Sequence, residues 1–168
     1  MKTEDMIIVS VDDHIIEPAE MFDQHVPASL KSKAPQLETL PDGSNVWNFE
    51  GRKVINVGLN AVVGRPRDEY GMEPTSYDQL RRGTFDVHAR VEDMNANGLL
   101  ASLNFGTFVG FDGSFFWASE DKKVALAMVK AYNDWHIDEW CGAYPGRFIP
   151  MAILPCWDVA ETVKEVER

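Results

Sequence analysis

Cysteine is scarce: Cys141 and Cys156 are the only two in 168 residues. They form no CxxC pair and no disulfide framework, so both are expected to be buried free thiols in a reducing compartment. Positive charge is also short, since 16 Lys and Arg stand against 27 Asp and Glu, for a net charge of −11. Such a surface repels nucleic-acid phosphates and anionic lipid headgroups. No apolar run approaches the roughly 20 residues needed to cross a bilayer. The opening MKTEDMIIVSVDDH places acids where a signal peptide needs an uninterrupted apolar core. The expectation is a cytoplasmic protein with neither nucleic-acid nor membrane partners. Internal repeats, low-complexity tracts and the glycine patterns GxGxxG and GxxxxGK[ST] are missing as well, so nothing favours nucleotide binding.

What is present describes a globular chain. Hydrophobic residues make up 45% and charged residues 26%, the balance of an ordinary folded domain. A domain of this length buries roughly 70% of the surface its unfolded chain exposes. Met6 to Val11 is apolar and β-branched, which predicts a strand covered on both faces and ending in Asp12-Asp13-His14. A short helix is expected in AEMFDQHV, between Pro18 and Pro27. Asn45 to Phe49 and Lys53 to Val57 flank Glu50-Gly51-Arg52 as a β-hairpin. Gly58 to Gly83 is rich in Gly, Pro and Arg, a loop long enough to suggest function.

A regular rhythm follows. A helix from Asp86 to Ala96 is stopped by Asn97-Gly98, and a strand runs from Leu99 to Phe105. After the loop Gly106 to Gly113, a long helix is predicted from Ser119 to Cys141, with Ser119 as N-cap and Glu120 and Asp121 in its first turn. Phe148 to Leu154 reads as a strand, and Asp158 caps a last helix reaching Arg168. Alternating strands and helices predict an α/β fold built on a parallel sheet. A closed barrel and an open doubly wound sheet share this rhythm.

Chemistry concentrates at Asp12-x-His14. Residues i and i+2 of a strand project to one face, so a carboxylate and an imidazole can converge on one ion. That donor set suits Zn²⁺ and also Mn²⁺ or Fe²⁺. Two ligands do not complete a catalytic site, because zinc centres use three protein ligands and one open position.

Ser10-Val11-Asp12-Asp13-His14-Ile15-Ile16-Glu17-Pro18 resembles the opening of amidohydrolase-related proteins of the aminocarboxymuconate-semialdehyde decarboxylase-like group. So do Asn56-Val57-Gly58-Leu59-Asn60, Arg90-Val91-Glu92-Asp93-Met94, Tyr132-Asn133-Asp134-Trp135, and the stretch from Ala143 to Phe148 leading into Met151-Ala152-Ile153-Leu154-Pro155. The resemblance implies that residues 1–168 are the N-terminal part of a (β/α)8 TIM barrel, with residues 36–84 as a hairpin and long-loop insertion after the first strand. It makes Asp12 and His14 two ligands of a divalent metal, Zn²⁺ first, with Mn²⁺ or Fe²⁺ as alternatives. A His from a later strand and an Asp from the eighth would lie beyond Arg168. The implied activity is metal-dependent hydrolysis or non-oxidative decarboxylation of a small carboxylate-bearing substrate, aromatic acids included. By this count about five barrel strands are wanting. The expected partners are therefore a small-molecule substrate and either further copies of the chain or a chain supplying the rest of the barrel. The competing expectation is a non-catalytic partial barrel that serves assembly.

Other polar residues are candidates beside this pair. Asn104 and Thr107 fall at the carboxyl end of the second strand and are candidates to face the substrate. Glu17 is read either as support for the site or as part of a Glu-Pro turn. His136 is expected at a helix interface, His88 in a solvated first turn, and His25 without an evident partner. Arg65 and Arg67 are candidate carboxylate clamps or plain surface cations. The ring-rich run Phe105, Phe108, Phe111, Phe115, Phe116 and Trp117 fits either a pocket wall or core.

Overall fold

The computed structural model describes residues 2, 5–55, 57, 58, 62, 64–71 and 73–168. Asn56, Leu59 and Asn60 of the compared segments lie outside them. In chain order the elements are β1 (Ile8–Ile15), α1 (Met21–His25), β2 (Gln36–Thr39), β3 (Asn45–Phe49), β4 (Arg52–Val54), α2 (Val87–Ala96), β5 (Leu99–Gly106), α3 (Ser114–Trp117), α4 (Lys122–Asp134), β6 (Phe148–Ile149) and α5 (Val159–Glu167). β1, β5 and β6 form a parallel sheet in that order. The expected α/β class and parallel pairing are therefore observed. β2, β3 and β4 form a separate antiparallel sheet.

Local chemistry explains most of the boundaries. The side chain of Asp86 caps α2 by accepting from the amides of His88 and Ala89, and Gly98, at φ +69°, turns the chain out of it. Between β3 and β4, Glu50 and Gly51 both adopt left-handed backbone (φ 52° and 78°), the two-residue turn that matches strand twist. Arg52 therefore belongs to β4 rather than to the turn, pairing with Phe49. β2 was not anticipated from the sequence.

Five expectations are corrected, one of them for the cysteines: Cys156 is exposed and only Cys141 is buried. β1 extends through Ile15, so Asp12 and His14 lie inside the strand rather than beyond it. β1 is also not covered on both faces: Ile8 is 47% and Val11 64% exposed. Among the described residues only β5 pairs with it.

The long helix begins at Lys122 with Asp121 as its cap, because the Asp121 carboxylate takes the amides of Lys123 and Val124. Ser119 instead donates its hydroxyl to Glu50 Oε1 at 2.7 Å. After Asp134 the helix continues as a π-helical turn, Trp135–Cys141.

β6 is two residues long. Beyond it the Asn133 side chain replaces the ladder, accepting from the Ile153 amide and donating to its carbonyl, each at 2.9 Å.

One apolar core joins the two sheets. Phe22 of α1 sets its ring edge-on to Trp47 of β3, to Phe108 and to Phe116, at centroid distances of 5.8, 5.7 and 6.1 Å. All four are almost fully buried. Val124, Ala125, Met128 and Val129 supply the α4 side of this core.

Candidate active site at the carboxyl end of the parallel sheet

A β-bulge shapes β1 where the chemistry sits. Ser10 pairs with Ser102 and Asp13 with Asn104, so three steps along β1 match two along β5. The bulge brings Ser10 and Asp13 to one face, where Ser10 Oγ donates to Asp13 Oδ1 at 2.7 Å. Asp12 and His14 alternate to the other face, and both are solvent-exposed. His14 pairs with Phe105 in register, with the two ring centroids 5.9 Å apart.

Long-range contacts fix this end of β1. Arg90 of α2 donates from Nη2 to the His14 carbonyl. Its guanidinium is pulled below its ordinary pKa by burial, an effect opposed by the carboxylates of Asp13 and Asp93. Thr107 Oγ1 donates to the Ile15 carbonyl at 2.8 Å, and the Ile16 amide donates to the Thr84 carbonyl at 2.8 Å. A cleft of about 480 Å³ beside this end of β1 is lined by Asp13, His14, Arg81, Thr84, Arg90 and Asp93. Arg81 and Asp93 pair across it.

Glu17 is wholly buried three residues after His14. Its carboxylate accepts the Phe108 amide at 2.9 Å and the Val109 amide at 3.2 Å, bolting the loop after β5 to the chain after β1. Burial raises its pKa, and the backbone amides work against that rise. Gly106 is required beneath this bolt: a Cβ there would stand 2.6 Å from Glu17 Oε1 and 2.7 Å from the Tyr132 hydroxyl.

The other candidates are placed as follows. Asn104 is 2% exposed and on the Asp13 side of the sheet, its Oδ1 taken by Trp140 Nε1 at 3.1 Å, so it does not meet His14. The Thr107 hydroxyl is spent on the Ile15 carbonyl. His136 is fully buried and stacked on Tyr132 (interplanar 9°), and burial pushes its pKa down to about 4, which keeps it neutral. His88 Nδ1 lies 2.9 Å from the Tyr144 hydroxyl, and His25 Nε2 lies 2.9 Å from Glu139 Oε1, so both histidines have neighbours the sequence did not disclose. Arg65 is 3.9 Å from Glu73, and nothing brings Arg65 or Arg67 to His14. Arg90 and Glu17 carry the support of the site. Arg90 stands 76 positions from the carbonyl it holds, and no local pattern announces that contact.

Among the described residues no group of three or more His, Cys, Asp or Glu side chains is placed to hold a metal. Asp12 and His14 thus offer two donors of the right chemistry and do not by themselves close a zinc site.

No family model matches this chain, and no curated protein matches it. A solved structure does: an amidohydrolase from Mycobacterium avium subsp. paratuberculosis K-10, with a TM-score of 0.70 at 19% identity over 97% of this chain. The fold is amidohydrolase-like. The chain spans 46% of that protein's length. At this identity the likeness carries the fold alone. No helix among the described residues is long and apolar enough to cross a membrane.

Proposed function

We propose that these residues form the first part of a metal-dependent hydrolase of amidohydrolase type, a partial (β/α)8 barrel in which Asp12 and His14 contribute two ligands to a divalent ion, Zn²⁺ first. The observation that carries this reading is the exposed Asp12-x-His14 pair near the carboxyl end of β1, in a sheet that superposes on an amidohydrolase over 97% of the chain. A catalytic site of this kind needs a further protein donor, and among the described residues no group of three or more His, Cys, Asp or Glu side chains is placed to hold a metal. A bound divalent ion supplies an activated water or a polarised carbonyl, the chemistry of hydrolysis and equally of non-oxidative decarboxylation. The substrate class is a small carboxylate-bearing molecule.

The chain's own residues hold the pair in place. Arg90 and Thr107 secure the carbonyls of residues 14 and 15, and Glu17 fixes the loop beside them. The exposed apolar residues Ile7, Val11 and Ile149 favour a covering layer, either the rest of the barrel or another copy of the chain.

Paramagnetic broadening by Mn²⁺ in an NMR titration tests the pair. The His14 ring and the Asp12 signals should broaden first, ahead of His25 and His88, and the effect should vanish in His14→Ala. Broadening centred elsewhere, or unchanged in that variant, would remove the proposed half-site.

A further inference from the structure

The ring-rich run from Phe105 to Trp117 divides into three groups. Phe108 and Phe116 are core. Phe115 lies under the Arg52 guanidinium at 4.5 Å and against Phe49, and Trp117 donates Nε1 to the Leu154 carbonyl at 3.2 Å. Phe105, buried at 8% exposure, and Phe111 form a third pair. They stack on each other, with centroids 3.9 Å apart and planes 18° from parallel, and Phe111 remains 66% exposed. Phe105 is the residue that pairs with His14 and lies 5.9 Å from its ring. The pair therefore stands on the face that carries Asp12 and His14.

This placement is built by the loop. Gly110 and Gly113, at φ +72° and +74°, bracket Phe111, and Asp112 accepts the Ser114 amide at 2.9 Å to start α3. Glu17 clamps the other end through the amides of Phe108 and Val109. A ring stacked on one side and open on the other, held by a loop anchored at both ends, is a pre-formed platform rather than a core residue left outside. Stacking an aromatic ring on such a face discriminates flat π-systems from saturated rings of the same size.

We propose that Phe111, backed by Phe105, is a specificity-determining residue that receives a planar unsaturated group of the ligand beside His14. This rests on the proposed function for calling that ligand a substrate. The stacking itself stands independently of any metal. In the ligand so placed, the flat group lies over Phe111 while its polar end points toward His14 and Asp12.

The test uses neutral probes, so that neither the Asp12 charge nor a metal enters: benzamide and cyclohexanecarboxamide, titrated into the purified chain and followed by the aromatic NMR signals of Phe105 and Phe111. Benzamide is expected to bind about threefold to tenfold tighter than the saturated amide. That preference should disappear in Phe111→Leu and persist in Phe111→Trp. Phe111 is exposed, so Phe111→Leu should keep the wild-type amide spectrum away from the loop. Equal binding of the two probes, or an undiminished preference in Phe111→Leu, would overturn the inference. Selective benzamide binding in His14→Ala would uphold the platform even if the metal reading fails. Metal broadening at His14 without benzamide preference would do the reverse.

Discussion

Glu17→Ala is expected to lower the stability of the chain by on the order of 3 kcal/mol, because the buried amides of Phe108 and Val109 lose their acceptor. Removing the wholly buried Glu17 side chain also leaves a cavity, which adds to the cost. Glu17→Gln preserves shape and one acceptor oxygen, which isolates the charge. Burial raises the folded-state pKa of Glu17 above its unfolded value. The stability it contributes is therefore fully present below the unfolded value, near 4.5, and is lost as pH rises through the folded value, because folding must then bury an ionised group. Denaturant unfolding across the range from about pH 4 to about pH 7 should show wild type losing ground to Glu17→Gln as pH rises. A difference that is flat, or that grows in favour of wild type, would mean that the amides outweigh burial and that Glu17 folds as a carboxylate without penalty.

Phe22→Ala should have the largest effect of any single substitution, about 3–5 kcal/mol. Phe22 is 1% exposed and touches rings from both halves of the structure: Trp47 of the antiparallel sheet, and Phe108 and Phe116 next to the parallel one. Its removal leaves a cavity among the rings of Trp47, Phe108 and Phe116. The expected result is a chain that unfolds at much lower denaturant concentration, with no change in the exposure of Asp12 and His14 under native conditions. A loss below about 1 kcal/mol would show that the two sheets hold together through other contacts.

Much of this architecture was legible in the sequence because its causes are local. Asp86 and Asp158 are N-caps one residue before their helices, Asn97-Gly98 is a helix stop, and Glu50-Gly51 is a hairpin turn. The alternation of apolar runs with helical periodicity gave the parallel pairing, whereas Asp12-x-His14 is a weak signal by spacing and gains its weight from the resemblance of the segments around it. What escaped depends on distant partners. The β1 bulge exists only in register with β5, and it decides that Ser10 meets Asp13. Beyond β6 the amide and carbonyl of Ile153 are taken by Asn133, a side chain on another element. The face that Asn104 presents at the carboxyl end of β5 is likewise set by its pairing with Asp13. Ser119 looked like the cap of α4 because Ser, Glu and Asp in succession all suit a helix start, and the choice fell to Asp121 once Glu50 engaged the Ser119 hydroxyl.

The central claim is that Asp12 and His14 together hold a divalent ion as the beginning of a larger site. It is tested most directly by equilibrium dialysis of the purified chain against buffered Zn²⁺, with elemental analysis of wild type, Asp12→Asn and His14→Ala in parallel. The account predicts zinc bound by wild type that falls sharply in each variant and is readily removed by chelator, as two donors without a third would give. Equal zinc in all three proteins, or none in wild type at concentrations that load simple carboxylate–imidazole pairs, would contradict it.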